Sequence, residues 1–130
     1  MAAAFVTFSQ QTGRIAYVDG DLSFVIGFGW AGNGQGKNNH AMQAVRSVGP
    51  LPCGWYSIGD PQDHPTVGPF SLRLTPDSGN EMFGRDGFLI HGASKDPAHY
   101  GQESKGCIVA SRAVRVKIHE LGIKRLLVTK

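Results

Sequence analysis

The sequence has few charged residues and no long apolar runs, and each of these features excludes a class of protein. Charged residues make up 18% of the 130, and 13 Lys and Arg against 10 Asp and Glu leave a net charge of +3. Because no run of like charge forms a basic arm, we expect no nucleic-acid partner. No stretch approaches the roughly 18 continuous apolar residues that span a bilayer, so we expect no membrane insertion.

Cysteines and export signals are scarce as well. The only cysteines are Cys53 and Cys107, so a disulfide framework is not required. Residues 1–8 have neither the basic n-region nor the long apolar h-region of a Sec signal peptide. We therefore expect that these residues do not direct the protein to Sec export.

Glycine, in contrast, is abundant. The chain has 18 glycines and 41% hydrophobic residues, without a triplet repeat, a low-complexity tract or a linker. This composition is typical of a turn-rich globular β protein, and the length suits one core. We predict a single domain over residues 1–130.

Alternation of apolar and polar residues between turns predicts mainly strands. The opening predicts three antiparallel strands, of which the third, a dense apolar run at 22–28, is expected to be largely buried. Spacings of four and three between Val114, Ile118 and Leu121 predict one amphipathic helix that closes at Gly122. The predicted strands are 4–9, 14–18, 22–28, 54–58, 70–74, 87–90 and 125–129, with a long loop at 29–40, a helical turn within 41–47 and a surface loop at 60–69.

A histidine and a cysteine carry the chemistry. His91 ends a short apolar strand and Cys107 lies 16 residues later, directly before the predicted helix. The reactive form of cysteine is the thiolate, which a nearby histidine or a helix N-terminus favours. Gly106 lets neighbouring backbone amides face one way, as an oxyanion hole requires. The pattern indicates acyl transfer through a thioester.

A zinc site is the rival interpretation of this segment, since His91, His99 and Cys107 are spaced by eight. Metal sites usually contain a closer ligand pair, which is missing here, so we expect neither a metal nor a cofactor. We predict free thiols, because a disulfide to Cys53 would silence Cys107. Cys53 lies between Pro52 and Gly54 and is expected to be structural.

The segments HGAS at 91–94 and SKGCIVASR at 104–112 resemble the catalytic signature of L,D-transpeptidases. Further segments are similar to the short L,D-transpeptidase-like effectors of bacterial type VI secretion. They are GNG at 32–34, GKNN at 36–39, VGPLP at 48–52, YSIG at 56–59, LRLTP at 72–76 and MFGRDGFLI at 82–90. The resemblance covers nearly the whole chain from about Phe28.

The resemblance implies a mainly β, single-domain L,D-transpeptidase-like sandwich or barrel with one C-terminal amphipathic helix and long loops. It implies Cys107 as nucleophile, His91 as base and later acid, and the amides of Gly106 and Cys107 as the oxyanion hole. Ser104 would orient His91 or line the pocket. The substrate-binding candidates are Ser94, Arg112, Arg85 and, as a wall of the groove, Trp30. The larger family commonly has arginine two residues after the nucleophile, where this chain has Val109.

The resemblance also implies a substrate and partners. The substrate would be the peptidoglycan stem peptide, cleaved by L,D-carboxypeptidase activity with D-amino-acid exchange. The protein would be an antibacterial toxin, secreted without a Sec signal through a secretion apparatus, that acts in a target periplasm. A cognate immunity protein would cover the active site. The alternatives are a non-catalytic peptidoglycan-binding module on the same fold and a general cysteine hydrolase.

Overall fold

The computed structural model describes residues 3–93 and 104–130 of the chain. This part is mainly β, with nine strands, one α-helix and two single 3₁₀ turns, Gly34–Gly36 and His40–Met42. The helix α1 is Arg112–Glu120. The strands are β1 (Phe5–Ser9), β2 (Arg14–Asp19), β3 (Leu22–Phe28), β4 (Trp30–Ala31), β5 (Gly54–His64), β6 (Gly68–Pro76), β7 (Leu89–His91), β8 (Ile108–Val109) and β9 (Arg125–Thr129).

All nine strands join one sheet in the order β3-β2-β1-β9-β5-β6-β7-β8-β4. The pairs β1–β9 and β7–β8 are parallel, and the other neighbours are antiparallel. Alternate residues of the central strands face the core, where Phe8, Tyr56 and Leu126 are at most 1% exposed. Val114 and Ile118 bring the apolar face of α1 onto this core.

Several predicted elements are confirmed. The opening hairpin and third strand form as expected, and β9 has the predicted bounds. The helix begins after Ser111, whose hydroxyl accepts a hydrogen bond from the Val114 amide as an N-cap. Gly122, at φ +70, follows the helix in the left-handed conformation that favours glycine. No described helix is long and apolar enough to cross a membrane.

The expected burial of β3 is wrong. It is an edge strand of the sheet, paired in the described chain with β2 alone, and its side chains reach solvent. Leu22 is 57% exposed and Phe28 63%. The apolar run therefore predicted a strand correctly, but it did not predict that this strand lies at an edge of the sheet and is exposed.

The surface loop expected at 60–69 is also wrong for most of its length. Strand β5 continues to His64 and β6 begins at Gly68, so only three residues form the tip of this hairpin. The β5–β6 register shifts between Ile58 and Pro61 and again between Gln62 and His64. Such bulges accommodate proline, which made this segment resemble a loop in the sequence.

Candidate active site

The parallel pair β7–β8 brings the motif cysteine beside the strand that carries the motif histidine. Ile90 is in register with Ile108, so Cys107, one residue earlier, lies alongside Leu89. The Leu89 amide donates a hydrogen bond to Cys107 Sγ at 3.4 Å. His91 ends β7 two residues beyond Leu89. The parallel register thus brings the strand that ends at His91 beside Cys107, although the two residues are 16 positions apart in the sequence.

Cys107 and His91 line one cavity of about 450 Å³. Its described walls come from four stretches of chain, including the tip of the β5–β6 hairpin and the segment between β6 and β7. The lining residues are Arg46, Ser47, His64, Thr66, Val67, Arg85, Asp86, Gly87, Phe88, Leu89, His91, Lys105 and Cys107. A cavity of this size accommodates a short peptide segment beside the thiol.

The backbone fixes the tautomer of His91. The ring is 1% exposed, and Nδ1 lies 2.9 Å from the carbonyl oxygen of Gly92. Since a carbonyl oxygen only accepts, Nδ1 carries the hydrogen, and Nε2 holds the lone pair of the neutral ring. This is the tautomer in which Nε2 of a neutral ring can accept a proton as a general base.

Burial raises the pKa of the Cys107 thiol, while hydrogen bonds from the Leu89 and Cys107 amides and the charges of Arg73 and Arg85 act in the opposite direction. At neutral pH the sulfur therefore keeps its proton in the resting site. Nucleophilic attack then requires a base that removes the proton as the new bond forms.

Position 106 requires glycine because a side chain there would have too little space and an unfavourable backbone conformation. Its φ is +128, and a Cβ there would lie 2.6 Å from Arg85 Nη2 and 2.7 Å from Phe88 Cε1. Its amide donates to Ser104 Oγ at 3.1 Å. That donor is already used, which counts against the expected part of the Gly106 amide in an oxyanion hole.

Ser104 holds the loop that carries Cys107. It is fully buried, and its hydroxyl accepts from the Gly32 amide at 2.8 Å and the Gly106 amide at 3.1 Å while donating to the Cys107 carbonyl. Asn33 Nδ2 donates to the Ser104 carbonyl at 2.7 Å. Ser104 does not line the cavity with His91, so the contacts favour a positioning role over the expected contact with the base.

Arg85 has a similar role. Nη1 donates to the carbonyls of Gln43 and Pro50, the latter at 2.8 Å, and Nη2 donates to Gly49 at 2.9 Å and Lys105 at 3.1 Å. These four bonds use the terminal donors of the guanidinium, which is only 5% exposed. Although Arg85 borders the cavity, its contacts favour a structural role over the expected binding of a substrate carboxylate.

The other substrate-binding candidates are not brought to the described cavity. Arg112 is exposed at the start of α1, with its guanidinium carbon 5.2 Å from the Phe70 ring centroid. Trp30 lies in β4 opposite Val109, with Lys37 Nζ 4.7 Å from the centroid of its ring. The sheet therefore places both of these candidates outside the described lining of the cavity. Ser94 and His99 lie outside the described residues.

Cys53 belongs to a separate polar cluster. Its Sγ donates to Gln10 Oε1 at 3.3 Å and lies 3.8 Å from His40 Nδ1. Both cysteines are free thiols, as predicted. The described residues contain no group of three His, Cys, Asp or Glu side chains suited to hold a metal ion.

Outside the His-Cys motif, sequence reasoning missed three titratable residues of the cavity wall, Arg46, His64 and Asp86. None belongs to the His-Cys motif, and His64 was assigned to a surface loop. The long β5–β6 hairpin is the feature that brings His64 to the site.

A cysteine before β8 and a histidine at the end of the parallel strand β7, in a mostly β sheet with one helix, define an L,D-transpeptidase-like domain. The chain belongs to the Tlde1 domain family, whose model matches residues 27–129. This is the type VI secretion L,D-transpeptidase effector family.

Solved structures show the same fold. The helical cell shape determining protein Pgp2 from Campylobacter jejuni is 18% identical with a TM-score of 0.60, over 97% of this chain and 46% of that chain. An Enterococcus faecium L,D-transpeptidase mutant is 13% identical with a TM-score of 0.59, over 98% of this chain and 50% of that chain. The catalytic domain of an E. faecium L,D-transpeptidase is 15% identical with a TM-score of 0.52, over 98% of each chain.

The chain thus spans about half the length of the first two of these structures. No curated protein matches the sequence.

Proposed function

We propose that the protein is a cysteine-dependent L,D-carboxypeptidase of peptidoglycan stem peptides, with D-amino-acid exchange as a second outcome of the same intermediate. The observation that carries this proposal is the joint placement of Cys107 and the tautomer-fixed His91 in one cavity. Membership of the effector family and the L,D-transpeptidase-like fold support a peptidoglycan-acting effector.

In the first step, Cys107 Sγ attacks the carbonyl carbon of the third stem residue, and His91 Nε2 takes the thiol proton. The negative charge that develops on the carbonyl oxygen is stabilised by the Cys107 amide. The tetrahedral intermediate collapses to a thioester, and His91 returns the proton to the amine of the departing D-alanine. The raised pKa of the thiol fits proton transfer during attack rather than a resting thiolate.

The second step decides the product. Water that His91 deprotonates attacks the thioester and releases a tripeptide acid with the free thiol. If the amine of a D-amino acid attacks instead, a new amide forms and the terminal residue is exchanged. Both routes consume the tetrapeptide that ends in D-alanine, and the water route shortens it to a tripeptide.

Membership of the effector family supports a biological setting for this activity. As an antibacterial effector, the protein would leave its producer through the type VI secretion apparatus and act in the periplasm of a target cell. A producer with its own peptidoglycan would need an immunity protein that covers the Cys107 cavity. A cavity with an open mouth and an essential thiol is a surface that such an inhibitor can block.

Purified tetrapeptide muropeptides, incubated with wild-type protein and with Cys107→Ala and followed by mass spectrometry, test the proposal. Wild type should release one alanine, and added D-methionine should give the corresponding exchanged product. Cys107→Ala should lose at least about a thousandfold in rate, because the covalent route is gone. The matched control is Cys53→Ala, which removes the other free thiol and should retain activity.

Release of alanine by Cys107→Ala at the wild-type rate would contradict the mechanism. Binding of muropeptides without any product, by a folded and reduced wild-type protein, would support a non-catalytic wall-binding module. Cleavage of unrelated thioesters or peptides at comparable rates would support a general cysteine hydrolase.

A further inference from the structure

Arg46 and His64 line the Cys107 cavity without a part in the proposed bond-making steps. Arg46 lies between the second 3₁₀ turn and β5, and His64 is the last residue of β5. The two residues therefore reach the cavity from different stretches of chain. Their common feature is that each offers N–H donors beside the nucleophile.

The charge of Arg46 is available to a ligand. The residue is exposed, and Nη2 donates to the Gly84 carbonyl at 2.9 Å, which anchors the side chain by one bond. In the described part of the chain no carboxylate forms an ion pair with Arg46. A guanidinium held by one edge retains further donors for a carboxylate oxygen.

His64 is held in a defined orientation by the hairpin tip. Its Nδ1 accepts the amides of Thr66 at 3.1 Å and Val67 at 3.3 Å. A nitrogen that accepts has no hydrogen, so the neutral ring carries its hydrogen on Nε2. His64 is thus a preorganised N–H donor in the cavity wall.

The surrounding charges favour an anion. Lys105 and Arg85 line the cavity too, and Asp86 is the one acidic residue of its described lining. At the position where the larger family commonly has arginine, Val109 is 1% exposed within β8 and offers no charge. A carboxylate that enters this cavity must be recognised by residues elsewhere in its wall.

We propose that Arg46 and His64 bind a carboxylate of the stem peptide and thereby determine which peptides are accepted. This inference rests on the proposed function. The candidates are the two carboxylates nearest the scissile bond of a tetrapeptide, that of the terminal D-alanine and the one on the side chain of diaminopimelate. The two residues act in substrate selection, while Cys107 and His91 perform the reaction.

The test removes the charge from the protein and from the peptide in turn. Three tetrapeptides are compared: one with diaminopimelate, one with lysine in its place, which lacks the side-chain carboxylate, and one ending in D-alaninamide. With the first peptide, Arg46→Gln should raise KM about tenfold and leave kcat within about twofold. For the wild-type protein, one of the two altered peptides should have a KM about tenfold higher than the first peptide. With that altered peptide, Arg46→Gln should not raise KM further, because the carboxylate that Arg46 binds is already missing.

Two more variants separate a specific contact from general damage. Arg46→Lys keeps the charge and should recover much of the affinity. His64→Asn retains a side-chain acceptor for the Thr66 and Val67 amides but loses the Nε2 donor, and should raise KM severalfold. Arg14→Gln is the matched control, because Arg14 is an exposed arginine of β2 outside the described cavity lining.

The same substitutions are also combined with Cys107→Ala, and the Kd of each protein for the three peptides is measured by calorimetry. This measurement does not depend on turnover. A wild type without turnover would defeat the proposed function, while the Kd pattern would still decide this inference. Three outcomes would overturn this inference. They are equal affinities of the Arg46→Gln and Arg14→Gln proteins, no binding of any peptide, and equal losses of affinity with all three peptides.

Discussion

At the scale of single residues, the motif identified Cys107 and His91, but contacts decided the roles of their neighbours. The resemblance implied that Ser104, three positions before Cys107, orients His91 or lines the pocket. Its hydroxyl instead connects the loop to Gly32, 72 positions away, through a bond no local pattern reveals. A motif reports which residue types recur around a reaction, whereas the direction of each side chain depends on the complete fold.

Ser104→Ala should lower the free energy of unfolding by about 1–3 kcal/mol, because the buried Gly32 and Gly106 amides would lose their acceptor. Activity should fall as well, since the Cys107 loop would no longer be held. Urea denaturation with a muropeptide assay measures both effects. The control is Ser71→Ala, which removes a fully buried hydroxyl with one bond, to the Gly68 carbonyl, and should cost less. Equal costs for the two variants would contradict this role.

At the scale of elements, periodicity predicted α1 and β9 well because each has a regular pattern bounded by turn or cap residues. The β5–β6 hairpin escaped prediction because its prolines lie at or beside bulges, where they remain compatible with a sheet. That error concealed the contribution of His64 to the site. Bulges depend on the partner strand, so one strand's sequence does not show them.

Arg85 attaches the segment that precedes β5 to the loop that carries Cys107, and this attachment is testable. Arg85→Lys should lower the free energy of unfolding by about 1–3 kcal/mol, because one ammonium cannot replace a planar group bound to four carbonyls. Chemical denaturation measures the change. Arg46→Lys, with its single bond at the surface, should stay within about 0.5 kcal/mol of wild type. A similar small change for Arg85→Lys would contradict the attachment.

At the scale of the whole molecule, composition and turn spacing predicted one mostly β domain but not the order of its strands. The parallel pairing of β1 with β9 joins residues 120 positions apart, such as Val6 and Leu126. Local periodicity carries no information about such a pair. The matched family segment starts at residue 27, yet β1 and β2 occupy places inside the sheet of this chain.

Deletion of residues 1–26 should therefore prevent folding, although the matched segment is retained. It removes the buried Val6, Phe8 and Ile15 and uncovers the edge of β9. Each such side chain contributes about 1.5–3 kcal/mol by burial, and the sum approaches the roughly 5–15 kcal/mol that stabilises a whole domain. Circular dichroism should show no cooperative thermal transition, whereas full-length Leu22→Ser, changed at an exposed site of β3, should unfold like wild type. A cooperative transition in the deletion variant would mean that the sheet is stable without β1, β2 and most of β3.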